Sequence, residues 1–155
     1  MDAILHELRL AIEQSGVSYA ALLDDQIVLA TFTPREDGKD SVGEDARCVA
    51  TAVLDLRDRL IKLEEKWNVN LDFRLAVDVG TIMTSTIATE PPSRNLWGGA
   101  IGIAKVLAAT AGRHTIAASE TTYDILSGDF LFRPRGSYFL PETGTMRTFV
   151  LVGRL

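Results

Sequence analysis

Cysteine is almost absent: Cys48 is the only one in 155 residues. A single thiol excludes an internal disulfide and a cysteine-based zinc site, and it fits a reducing compartment. Positive charge is also short, with 16 Lys and Arg against 21 Asp and Glu for a formal net charge of −5. That balance argues against a nucleic-acid backbone or an anionic membrane as partner. A nucleotide, which needs only a few local cations and a metal ion, stays open. No uninterrupted apolar run approaches the roughly 20 residues needed to span a bilayer. Met1 to Arg9 carry charges throughout and lack a signal-peptide pattern. A Gly-rich phosphate loop, a Ser/His/Asp order and zinc spacing are all missing. His6 and His114 have no partner at ligand spacing and read as surface histidines. The expectation is a soluble, cytoplasmic domain.

What is present is an ordinary globular composition, with 46% hydrophobic, 24% charged and 7% aromatic residues. A chain of this length buries about two-thirds of the surface that its unfolded form exposes, enough for its own core. No segment repeats and none is of low complexity. Thr33 to Gly43 and Thr89 to Asn95, the latter with Pro91-Pro92, read as loops too short to be linkers. Residues 1–155 therefore read as one domain.

Asp2 to Gln14 places Ile4, Leu5, Leu8, Ala11 and Ile12 on one face of an amphipathic helix, and Ser15-Gly16 stops it. Val17 to Leu23 and Gln26 to Phe32 read as two short strands with Asp24-Asp25 turning between them. A long helix follows from about Glu44 to Trp67, with Ala46, Val49, Val53 and Leu60 on its apolar face and Cys48 on the buried side. Leu71 to Val79 alternates as a strand, and Thr81 to Ala88 is rich in β-branched residues. An almost wholly apolar helix runs from near Gly98 to Thr110. Its small residues, Gly98, Gly99, Ala100, Gly102 and Ala104, admit another backbone, at a dimer contact or against the sheet. Thr115 to Ala118 reads as a strand, Ser119 caps a short helix over Glu120 to Leu126, and Phe130 to Arg133 and Arg147 to Val152 are the last strands. The order α-ββ-α-ββ-α-β-α-ββ predicts an α+β fold, with helices on one face of a mainly antiparallel sheet.

Several of these segments resemble class III nucleotide cyclases, the adenylate and guanylate cyclase catalytic domains. Leu22 to Ala30 (Leu-Leu-Asp-Asp-Gln-Ile-Val-Leu-Ala) resembles the metal-binding hairpin, in which a Gly-Asp pair sits between two apolar strands. Arg74 to Gly80 is similar to the family strand that ends in glycine. Asn95-Leu96-Trp97-Gly98-Gly99 resembles the Asp-x-Trp-Gly helix start. Ser119 to Leu126, Phe132 to Gly136 and Met146 to Phe149 complete the order, so the resemblance covers nearly the whole chain. It implies a ferredoxin-like core with extra C-terminal elements. It also implies head-to-tail dimers with ATP or GTP at the interface, two Mg or Mn ions held by two aspartates, and attack of the ribose 3′-hydroxyl on the α-phosphate.

The departures from the pattern are as informative. The family domain opens with a strand carrying Phe-x-Asp, whereas this chain starts at the following helix. The first core strand and first metal aspartate are therefore expected to be missing, and the domain to be N-terminally incomplete. Asp25 aligns with the second metal aspartate, with Asp24 in place of the usual glycine. One carboxylate makes a weak magnesium site. The purine-reading positions fall on Ala21 and Asn95. Asn95 has groups that can read a base edge or cap the third helix. The transition-state asparagine and arginine fall on Gly102 and Val106, and the phosphate-contacting lysine of a late loop on Pro141. None of these three brings a side-chain donor or a cation. Lys105 is next to the lost arginine but turned about 100° away on a helix. Trp97 reads as core filler, with an interface as the other use.

Two functions follow. The favoured one is a degenerate cyclase-homology domain that dimerises or regulates attached domains in cyclic-nucleotide signalling. The other is an active ATP or GTP cyclase completed by upstream sequence or a partner chain, so the chain's own enzymatic activity stays open. A missing central strand would leave two inner sheet edges, and exposed edges recruit strands. The expectation is a homodimer, strand-swapped in one version, or a pairing with a partner cyclase domain, without nucleic-acid or membrane contact. Such a domain would sit in the cytoplasm at the C-terminal end of a membrane or multidomain signalling protein.

Overall fold

The computed structural model describes residues 2–23, 25–32, 41–88, 90, 93–141 and 143–155. Asp24 of the expected turn, residues 33–40 of the first expected loop, and Thr89 and Pro91-Pro92 of the second lie outside the described residues. The chain opens with helix α1 (Asp2–Ser15) and a hairpin of β1 (Tyr19–Leu23) and β2 (Gln26–Ala30). Helix α2 (Ser41–Trp67), strand β3 (Leu75–Val77) and a second hairpin, β4 (Met83–Ile87) and β5 (Ser93–Trp97), follow. Helix α3 (Gly99–Thr110), strand β6 (Ile116–Ser119), helix α4 (Glu120–Leu126) and two long strands, β7 (Phe130–Leu140) and β8 (Gly144–Arg154), complete it.

The main sheet has the order β3-β6-β8-β7, while β1-β2 and β4-β5 stand as separate two-stranded sheets. β3 runs parallel to β6, and the β6-β8 and β8-β7 pairs are antiparallel. Val53 and Leu54 of α2 and Leu126 of α4 pack with Val77, Ile116 and Leu151 of the sheet. Leu107 of α3 and Ala111 instead pack with Ala76 and Ala117. Neighbouring residues of a strand point to opposite faces. Ala76 and Ala117 thus lie on the side away from Val77 and Ile116, and the sheet has helices on both faces rather than on one. Helix α1 lies along α2, where Ala11 meets Leu56, Leu60 and Leu63.

Four further expectations need correction. The strand expected over Leu71 to Val79 shrinks to β3, because the backbone before it bonds locally. Leu71 N–H donates to the Glu64 carboxylate at 2.5 Å and Phe73 N–H to the Leu71 carbonyl at 3.0 Å. Ser93 to Asn95, assigned to a loop beside Pro91-Pro92, belong to β5, with Asn95 opposite Ser85. β7 continues past Arg133 although Pro134 has no donor, because the ladder shifts register between Pro134 and Gly136, with Gly136 at φ 123°. β8 is correspondingly longer than Arg147 to Val152.

Three side chains sit differently from their sequence reading. Trp97 is 44% exposed instead of core. Cys48 is only half-buried, its thiol donating to the Ser15 carbonyl at 3.5 Å. His114 is half-buried, with Phe73 stacked on its ring and Nε2 3.0 Å from the Glu64 carboxylate. Sequence spacing gives no hint of that pair, since 50 residues separate its members.

Candidate functional site

Among the described residues, β2 pairs only with β1 and β3 only with β6. No described strand joins β2 to β3, where the resemblance puts a first core strand. A cavity of about 690 Å3 occupies that place. Val49, Val53 and Leu56 of α2 line it on one side and Ala100, Ala104 and Ala108 of α3 on the other.

Two glycines set the position of α3. Gly98 has φ 142°, and a Cβ there would lie 2.4 Å from the Thr81 carbonyl oxygen, so only glycine fits the N-cap. A Cβ on Gly80 would lie 3.3 Å from Cβ of Ala100, which brings the end of β3 close against the first turn of α3.

Asp25 occupies the turn between β1 and β2, is exposed, and lines the cavity. Lys105 of α3 and Asp78, just past β3, line the same cavity. The other positions singled out by the sequence do not. Ala21 lies in β1 opposite Val28, and Asn95 is exposed in β5. Asn95 is three residues before Gly98, the true N-cap of α3, which has no side-chain cap bond, so the capping role fails. Gly102 and Val106 share a stripe of α3 one turn apart, with nothing within 4 Å of a Cβ built on Gly102. Pro141 is exposed at the turn between β7 and β8.

Asp78 was not singled out by the sequence, although a carboxylate ending an apolar run before Gly80 was a visible signal. Burial pushes its pKa above the ordinary aspartate value, opposed by hydrogen bonds from Ser119 Oγ and the Val79 N–H. Among the described residues no three His, Cys, Asp or Glu side chains converge as a metal-binding group. Asp25 alone does not fit the two-ion set of the nucleotide cyclases, since magnesium is shared among carboxylates, phosphates and water.

Residues 6–153 match the family described as Adenylate and Guanylate cyclase catalytic domain. An adenylate cyclase of Mycobacterium tuberculosis (strain ATCC 25618 / H37Rv) is 22% identical over 143 residues, which is 92% of this chain and 31% of that protein. The chain thus spans less than a third of that relative's length. The adenylyl cyclase CyaB from P. aeruginosa superposes with a TM-score of 0.82 at 14% identity, covering 97% of this chain and 79% of that one. The guanylate cyclase domain of RhGC from Catenaria anguillulae, solved in complex with GTP, gives 0.79 at 17% identity over 99% and 82%. The fold is that of nucleotide cyclase catalytic domains. By the match over residues 6–153, the chain belongs to the adenylate and guanylate cyclase catalytic domain family.

Proposed function

We propose that this cyclase-family domain has lost cyclase chemistry and acts as a dimerising, regulatory module in cyclic-nucleotide signalling. The reading is carried by α3, which presents Gly102 and Val106 at the positions that match the family's transition-state asparagine and arginine. Neither side chain donates a hydrogen bond or carries charge, and removing one donor to a developing charge costs on the order of a hundredfold in rate. Asp25 as the one family metal-aspartate position found in the sequence, and the uncharged Ala21 and Pro141, point the same way.

The regulatory partner in this reading is a second cyclase domain, of this chain or another. Gly99 and Gly102 have open space where a Cβ would be, which leaves room for a neighbouring backbone. Asn95, exposed on β5, is the one purine-reading position that keeps donors and acceptors for a bound nucleotide. Among the described residues no helix is long and apolar enough to cross a membrane. We infer a single cyclase-family domain that works in the cytoplasm.

The competing reading is an active cyclase, completed by upstream sequence or a partner chain that adds the first metal aspartate; Asp25 in family register favours it. Purified chain is incubated with ATP or GTP and excess manganese, beside Asp25→Ala, and cyclic nucleotide is measured. No product from either protein is expected. Product from the native chain that vanishes in Asp25→Ala would overturn the proposal.

A further inference from the structure

We propose that Arg135 is the positioning residue of α3, a guanidinium lent by β7 that ties the β7–β8 hairpin to the C-terminal end of that helix. The tie is independent of whether cyclase chemistry is lost. It bears on any site built here, because Gly102 and Val106 lie on α3 and Pro141 lies at the β7–β8 turn. One side chain thus joins the two elements that carry these positions.

The end of α3 has no cation of its own. An α-helix leaves its last carbonyls unbonded and partly negative, which favours a positive group beside them. The last turn of α3 contains no basic residue. Thr110 Oγ1 donates to the Leu107 carbonyl at 3.1 Å, and Ala111 N–H donates to the Ala108 carbonyl at 3.2 Å. The Thr110 carbonyl accepts instead from Nη2 of Arg135. Among the described residues no other hydrogen bond joins α3 to β7. Helix α3 packs on β3 and β6, and β8 lies between β6 and β7, so the side chain reaches past a strand to meet it.

Backbone geometry aims the group. Arg135 is the residue left over where the β7 ladder shifts between Pro134 and Gly136, and Gly136 at φ 123° permits the shift. A bulge turns a side chain out of strict alternation, here toward α3. The guanidinium carbon lies 4.4 Å from the centre of the Tyr138 ring, a planar stack that a lysine cannot reproduce. Arg47, Arg147 and Arg154 pair with carboxylates, whereas the partner of Arg135 is a main-chain carbonyl of another element. Its Nη1 is buried without an acceptor among the described residues. An unpaired charged N–H is unfavourable, and a side chain free to choose would turn it to water. The bulge, the ring and the helix end together keep it in.

The test reads a distance within one chain. Spin labels are placed at two exposed positions, Lys105 on α3 and Thr143 at the β7–β8 turn, through Lys105→Cys and Thr143→Cys in a Cys48→Ser background. Labelled protein is diluted in excess unlabelled protein, so that contacts between copies do not contribute. Double electron–electron resonance should give one narrow distance with Arg135 in place. Arg135→Met should widen the distribution about twofold or more, and Arg135→Lys, which keeps the charge and a donor but loses the stack, should fall between. Hydrogen exchange of the amides from Leu107 to Ala111 should quicken in Arg135→Met. Circular dichroism checks the fold, and Arg135→Gln takes the place of a Met variant that does not fold. A residue that only stabilises would lower the melting temperature and leave the distance distribution of the folded chain unchanged. Three results would each overturn the proposal: equal widths for Arg135 and Arg135→Met, Arg135→Lys as wide as Arg135→Met, or a distribution already wide with Arg135 in place. Cyclic nucleotide made by the native chain would overturn the proposed function and leave the tie standing.

Discussion

Ser119 donates its hydroxyl to Oδ1 of Asp78 at 2.5 Å, tying the end of β3 to the first turn of α4. The same oxygen caps α4 by accepting from the Thr122 N–H at 3.2 Å. Ser119 is fully buried, so this bond ties the cavity-lining end of β3 to the junction of β6 and α4.

Burial raises the pKa of Asp78 in the folded chain above its ordinary 3.8. The folded state then binds more protons than the unfolded state just above pH 3.8. This contribution to stability is present below that pH and is lost as pH rises through the raised value. Asp78→Asn should abolish this component, so its urea midpoint should gain on the native protein between pH 3.8 and neutrality. A midpoint difference independent of pH would refute this. Ser119→Ala, which removes both the cap and the donor to Asp78, should cost about 1–2 kcal/mol.

Glu64 behaves in the opposite sense. Burial alone would raise its pKa, but bonds from Leu71 N–H, His114 and Arg113 outweigh that and lower it below 4.5. Its contribution is present above pH 4.5 and lost as pH falls through the lowered value. Glu64→Gln should therefore lower the urea midpoint at pH 7, with the gap closing in acid. A constant gap would sink the assignment.

The two glycines flanking the start of α3 should respond with opposite signs. Gly98→Ala forces a Cβ to 2.4 Å from the Thr81 carbonyl at φ 142°, and should cost about 2–3 kcal/mol or prevent folding. Gly102→Ala meets open space in a helix and should stabilise by about 1 kcal/mol. Thermal melts of the two variants decide both.

Leu107 is fully buried between α3 and the sheet. Leu107→Ala should cost about 3 kcal/mol, more than a surface change on the same helix, because a cavity remains. A loss within about 0.5 kcal/mol, typical of surface sites, would mean that α3 does not pack on Ala76 and Ala117.

The helices were the most legible elements, since the spacing of Ala46, Val53 and Leu60 states the α2 face directly. The strands were less so. Pro134 ends a strand by local rules, yet β7 runs through it, and the prolines beside Ser93 masked β5. In both places pairing with a neighbouring strand overrode local preference. The aligned site positions were readable one by one, whereas Asp78 and the His114–Glu64 pair depend on partners at least 41 residues away.

The sequence by itself determined the family and the order of elements apart from β5, because periodicity and motif order are local properties. Tertiary structure alone decided that helices cover both sheet faces, that Asp25, Asp78 and Lys105 share a cavity, and that β2 and β3 both border that cavity without pairing to each other among the described residues. Those outcomes depend on which strands pair and which faces they bury. Such choices are fixed by the packing of distant segments and leave no periodic trace in either one.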